Sequence, residues 1–162
     1  MKGIIVVAAI ITMSFCTNSP LNAQDMNNKE IKTIIEVPEN AQSAPLQFFI
    51  GKAWVVPLVS DTDTYNCSVA NVIFEPACRN NWHKHPGGQI LIVTEGTGYY
   101  QEKEKPVQLL NKGDTVAVAP NVEHWHGATA DSWFSHIALG TNPGAGAPEW
   151  LEPVEDEYYN NL

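Results

Sequence analysis

From Leu46 onward, hydrophobic and polar positions fall into short runs, each closed by turn-forming residues. Cys67–Phe74 alternates most regularly. Val69, Asn71 and Ile73 fall on one face and Ala70, Val72 and Phe74 on the other, the period of two that a strand requires. Phe48–Val59 is also β-rich and is interrupted by Gly51 and Pro57. The runs Gln89–Thr94, Gly98–Gln101, Val107–Leu110, Thr115–Ala119 and Trp133–Leu139 follow, with breaks at Glu95-Gly96, Glu102–Pro106, Asn111–Asp114 and Pro120–Glu123. Many short strands at close spacing predict an all-β sandwich or barrel. The pattern predicts no helix beyond a short turn within Glu149–Tyr159. In Gln89–Thr94, Ile90 and Ile92 lie opposite Gln89, Leu91 and Val93, so that strand is apolar on both faces. A second layer or a second copy of the chain would explain this, and a homodimer is expected.

The N-terminal pattern is different. Lys2 precedes an almost unbroken apolar stretch, Gly3 to Phe15, followed by a small polar segment ending in Leu21-Asn22-Ala23. Such a stretch is too short to span a bilayer comfortably and has the dimensions of a signal peptide. The expected organisation is a signal peptide over 1–23, a polar extension over 24–45 with an edge strand at Ile31–Val37, and the β domain over 46–159. The mature chain is expected to be exported, periplasmic or secreted, with no integral membrane span. Lipidation at Cys16 ranks second, because Phe15 is bulky where lipoprotein processing wants a small residue. Export permits a disulfide. However, the extended run from Cys67 to Phe74 carries the chain roughly 23 Å at about 3.3 Å per residue. A bridge needs Cα atoms within about 7 Å, so Cys67 and Cys78 are expected to be free, mostly buried thiols.

Length and charge narrow the function. The 162 residues suit one domain, and 44% are hydrophobic, enough for a real core. A formal charge of −9 disfavours nucleic acid and anionic lipid as partners and leaves a small molecule as the expected ligand. Glu149, Glu152, Glu155, Asp156 and Glu157 concentrate acidity in the tail, which reads as a solvated face.

The five histidines all lie between residues 83 and 136. His83 and His85 are two apart, as are His124 and His126, so on strands each pair presents two imidazoles to one face. His136 sits in the middle of the run Trp133–Leu139. One histidine would read as a satisfied core or surface group; five gathered on strands point to a divalent metal, for which imidazole is the commonest ligand. Trp82 and Trp125 adjoin these histidines and should face away from them, as outer-face packing.

The spacing resembles the cupin superfamily. His83-Lys84-His85, then Gln89, then Gly96 follows its first motif, with Gln89 where a glutamate is usual. Gly113-Asp114, Pro120 and His124 follow the second, with Val122 where a glycine is common and Ala128 where an asparagine is frequent. The resemblance implies a single-domain jelly-roll barrel, the double-stranded β-helix. Phe74-Glu75-Pro76, Trp82–Pro86, Gly88-Gln89, His124–Ala128 and Trp150-Leu151-Glu152 are further similar to small bacterial cupins that include manganese-dependent hydroxynitrile lyases. That likeness implies one divalent metal on His83, His85, Gln89 and His124, with manganese first and iron or zinc as alternatives. It marks His126 and His136 as further pocket histidines and Ala70, Val72 and Gly140 as pocket-lining positions. Phe134 shares the parity of His136 and is expected at the pocket floor.

A neutral glutamine leaves the ion with its full double charge, making it a stronger Lewis acid than a carboxylate would. His126 or His136, with an ordinary pKa near 6.5, is expected to be the general base. The expected function is lyase chemistry on a small oxygenated molecule. A metal-dependent dioxygenase and a non-catalytic barrel that captures a small ligand are the alternatives. One scaffold hosts many chemistries.

Overall fold

A computed structural model describes residues 34–162; the expected signal peptide over 1–23 and residues 24–33 of the expected polar extension lie outside them. Twelve strands are present among the described residues: β1 (Gln42–Ser43), β2 (Phe49–Ile50), β3 (Ala53–Val59), β4 (Cys67–Phe74), β5 (Arg79–Asn80), β6 (His83–Lys84), β7 (Gln89–Glu102), β8 (Gln108–Asn111), β9 (Thr115–Val118), β10 (His124–Ala128), β11 (Phe134–Thr141) and β12 (Glu149–Trp150). Two one-turn helices, α1 (Thr62–Tyr65) and α2 (Asp156–Tyr159), complete the regular structure with a short 3-10 turn.

The strands form two antiparallel faces of a curled sheet, as the jelly-roll expectation requires. One face runs β1-β3-β4-β11 to the first half of β7 and then β9. The other runs from β8 through the second half of β7 to β10, which pairs with β5 and β6; these in turn pair with β2 and β12. The core between the faces holds Phe74, Leu91, Val93, Tyr100, Leu110, Val118 and Phe134.

The reading of two strands around Glu95-Gly96 needs correction. β7 is continuous from Gln89 to Glu102 and bends at Gly96, passing from one face to the other. Gly96 has φ +71, and a Cβ there would lie 1.8 Å from the Trp133 carbonyl oxygen, so only glycine fits the bend. The facing strand β11 shifts register between Ser135 and His136.

The expected edge strand at Ile31–Val37 is also corrected. Its described part, residues 34–37, is irregular, and Ile34 is 80% exposed. The edge is β1 instead, with Gln42 opposite Val55 and Ser43 opposite Trp54. Pro38 lacks the N–H a ladder would need just after the expected strand. α1 was not expected; Asp61 caps it by accepting from the Thr64 N–H at 3.1 Å. Cys67 and Cys78 are free, as expected.

The acidic tail is more than a solvated face. Glu149 pairs with Lys84, Glu152 with Lys103 and Asp156 with Arg79, fastening the tail to the barrel. Arg79 is buried and also donates from Nε and Nη2 to the Val154 carbonyl. Val154 and Tyr159 of this tail pack on Trp125, with Trp82 beside them. The two tryptophans face away from the histidines, and the chain's own tail packs with them there.

Candidate metal centre

The antiparallel register of β10 against β6 sets His124 opposite His83. The i, i+2 spacing then brings His85 to the same interior face. One ring nitrogen from each of His83, His85 and His124 lies within 4.8 Å of the others. Ring centroids are 4.2 Å apart for His83 and His124, 5.1 Å for His83 and His85, and 5.7 Å for His85 and His124.

Backbone carbonyls orient two of these rings. His83 Nδ1–H donates to the Asn81 carbonyl at 3.0 Å, and His124 Nδ1–H donates to the Val122 carbonyl at 2.9 Å. Each bond fixes the tautomer that leaves Nε2 as a lone-pair donor. The Nε2 of His85 is buried without a hydrogen-bond partner. Gln89 begins β7 and places Oε1 3.0 Å from His124 Nε2. With Nδ1 protonated, that contact sets two lone pairs against each other. A cation between them satisfies both, as does rotation of the amide.

The ionisation pattern fits the same purpose. Burial lowers His83 well below its ordinary value, and the neighbouring His124 and His85 add to the effect. Burial brings His85 down to about 4, with His124 contributing, and also lowers His124. All three are therefore neutral near pH 7, the form that ligates metal. Converging neutral imidazoles and an amide oxygen fit a borderline divalent ion such as Mn, Fe or Zn.

His126 and His136 lie deeper. His126 is 5.5 Å from His83 and 4.7 Å from His136 between ring centroids. Asn80 holds His126 doubly: Oδ1 accepts the His126 backbone N–H at 2.9 Å, and Nδ2 lies 3.0 Å from ring Nε2. His136 is 0% exposed, packs against Phe74 and Phe134, and has no hydrogen-bond partner at either ring nitrogen. Burial pushes His136 down to about 3 and His126 well below its ordinary value, where His136 adds to the effect. The ordinary value near 6.5 expected for both therefore does not hold.

A cleft of about 330 Å³ opens onto the centre. Ala70, Ala138, Gly140 and Ser68 line it beside His85 and Gln89, and no charged side chain contributes to its wall among the described residues. A Cβ on Gly140 would lie 2.8 Å from Ser68 Oγ, so glycine keeps the mouth wide. Of the positions expected to shape the pocket, Ala70 and Gly140 line this cleft. Val72 and Phe134 lie in the core beneath it, Phe134 against His136.

Sequence reasoning passed over Asn80 and Trp150 as site residues. Trp150 stacks on His83 with centroids 4.8 Å apart. The available signal for Asn80 was its place in the polar run Arg79–Asn81, which breaks the apolar pattern just before Trp82.

Comparisons with known proteins agree with this architecture. The cupin domain family matches residues 70–135. The (R)-mandelonitrile lyase of Granulicella tundricola is 38% identical over 115 residues, covering 71% of this chain and 88% of that protein. The solved structure of a cupin-like protein from Thermotoga maritima is 46% identical, with a TM-score of 0.74, covering 78% of this chain and 96% of that one. A DMSP lyase from Ruegeria pomeroyi, 17% identical with a TM-score of 0.58 over 72% of this chain and 64% of its own, shares the fold. A curled antiparallel barrel, three convergent histidines and relatives matched over most of their length lead to one assignment: this chain belongs to the cupin family.

Proposed function

We propose that the protein is a metal-dependent lyase that cleaves a small neutral cyanohydrin into an aldehyde and hydrogen cyanide. The observation that carries the reading is the convergence of three neutral imidazoles beside Gln89, at the inner end of an uncharged cleft. The likeness to an (R)-mandelonitrile lyase supports the reaction class. His83, His85, His124 and Gln89 would hold one divalent ion, with manganese first and iron or zinc as alternatives. Such an ion supplies Lewis acidity that stabilises negative charge developing on the substrate, undiminished by any carboxylate ligand.

The chain's own residues do the rest. Ala70, Ala138 and Gly140 leave space for an apolar substrate body, and among the described residues the wall carries no charged side chain. His126 or His136, adjacent at 4.7 Å between ring centroids, is the base for the substrate hydroxyl proton; neither ring nitrogen of His136 has another hydrogen-bond partner. The same imidazole then returns the proton to departing cyanide. Asn80 holds His126 in place beside His136.

One observation favours a second reading, a barrel that captures a small ligand without turning it over. The cleft wall reaches His85 and Gln89, whereas His126 and His136 lie behind them, almost fully buried. Elemental analysis of protein purified without chelator, beside His83→Ala, should find about one Mn or Fe per chain, lost in the variant. Mandelonitrile cleavage by the loaded wild type, abolished in a His126→Ala, His136→Ala double variant, supports the lyase. A loaded wild type that binds small ligands but turns over neither mandelonitrile nor related cyanohydrins supports the capture module.

The chain is exported after cleavage behind Ala23, which mass spectrometry of the mature protein tests. It forms a homodimer through the outer side of the β4-β11-β7 face, where Ile92 is 40% exposed and Ile90, Ile137 and Leu139 are half-buried.

A further inference from the structure

Trp150 is remote from the histidines in sequence, yet its indole lies against one of them. β12 and β6 run antiparallel with Trp150 opposite His83 and Glu149 opposite Lys84. Residues directly opposite in an antiparallel pair project to the same face. The register therefore sets indole against imidazole, with centroids 4.8 Å apart and planes inclined by 27°. Phe48 stacks on the same indole at 4.5 Å and 9°, and Phe49 flanks it at 5.8 Å.

The pairing is fastened at several points. Leu151 N–H donates to the Trp82 carbonyl at 2.8 Å, and Trp82 N–H donates to the Glu152 carbonyl at 3.0 Å. Lys84 Nζ lies 3.1 Å from Glu149. Further along, Arg79 holds Val154 and Asp156, and Tyr159 OH donates to the Ala128 carbonyl at 2.7 Å. Residues 149–159 thus form a strap across β6 and β10. Besides its contacts with the neighbouring histidines, the His83 ring has two restraints: the Nδ1–H bond to Asn81 aims Nε2, and the indole covers one ring face.

We infer that Trp150 is a positioning residue for the metal centre. Through it the C-terminal strap holds the His83 ring in its ligating orientation, so strap docking and metal binding stabilise each other. This rests on the metal-binding reading above. Removing the stack frees the ring, and loss of such a supporting partner costs roughly 10- to 100-fold in metal affinity.

The test is a Co²⁺ titration of the full chain, followed by visible absorption and tryptophan fluorescence, in wild type, Trp150→Phe and Trp150→Leu. The leucine variant should bind Co²⁺ roughly 10- to 100-fold more weakly, and the phenylalanine variant should recover most of that loss. Co²⁺ should also quench a smaller share of the fluorescence in Trp150→Phe, because the indole against His83 is gone. Wild-type Co²⁺ affinity in a folded Trp150→Leu overturns the inference. If that variant does not fold, hydrogen exchange on the wild type decides. Slower exchange at the Leu151 and Trp82 amides with Co²⁺ bound supports the coupling, and unchanged exchange overturns it. A wild-type chain that takes up no Co²⁺ overturns the metal reading itself, whereas uptake indifferent to residue 150 overturns only the role of Trp150.

Discussion

His136 keeps two ring nitrogens in the core without a partner. An unsatisfied buried polar group costs about 1–3 kcal/mol, and a protein selected for stability alone would place an apolar ring there. Phe74 and Phe134 already stack around the position. Replacing His136 with phenylalanine should therefore stabilise the metal-free protein by about 1–3 kcal/mol, read as a raised urea midpoint, and turnover is lost if His136 is the base. Equal or lower stability would mean that the imidazole has partners, such as buried water. The converging histidines were legible in the sequence because a period of two fixes the face of each pair: His124 and His126 share β10, and His85, just past the end of β6, still faces inward with His83. Asn80 and Trp150 were not. Their contacts depend on which strands pair, and in what register, across long separations that local alternation does not encode. The two extra histidines were legible as positions but not as acids, since burial depth decides their pKa values.

At the level of elements, the strap and the exposed face of β7 carry separate predictions. Tyr159 OH donates to the buried Ala128 carbonyl at the end of β10. Tyr159→Phe leaves that acceptor without its partner and should cost about 1–2 kcal/mol, measured by denaturant unfolding; a change within experimental error would detach the strap from barrel stability. On the other side, Ile92→Lys places a charge in the middle of the apolar outer surface. In light scattering the wild type should run as a dimer and the variant as a monomer with an unchanged circular dichroism spectrum. A monomeric wild type removes the dimer proposal. The strand Cys67–Phe74 was legible to the residue because its run of apolar and β-branched positions is closed by Asn66 before it and Pro76 after it, although burial rises along the strand on both faces rather than alternating. The continuity of β7 was not. Glu95-Gly96 has the composition of a turn, and only the sheet on either side turns it into a bend. α1 was invisible for a related reason: one helical turn is too short to show a period, and only the Asp61 cap marks it.

For the whole molecule, the histidines govern behaviour in acid. An unfolded histidine titrates near pH 6.5, whereas burial holds His136 to about 3 and His85 to about 4, with His83, His124 and His126 also lowered. Between these values the unfolded chain binds more protons than the folded one, so stability falls as pH falls. The Tm of metal-free protein should hold steady from about pH 8 to about 6.5 and then drop progressively toward pH 3. His136→Phe should flatten that slope by about one proton; an unchanged slope would place the proton uptake elsewhere. The bend at Gly96 has a further consequence. One strand belongs to both faces, so β7 is a common hinge: the two halves of the sheet cannot separate along it without breaking its ladders to β11 or β10. Native-state hydrogen exchange should then find the slowest amides of the two halves of β7 released in one cooperative opening; separate release of the two halves would break that link.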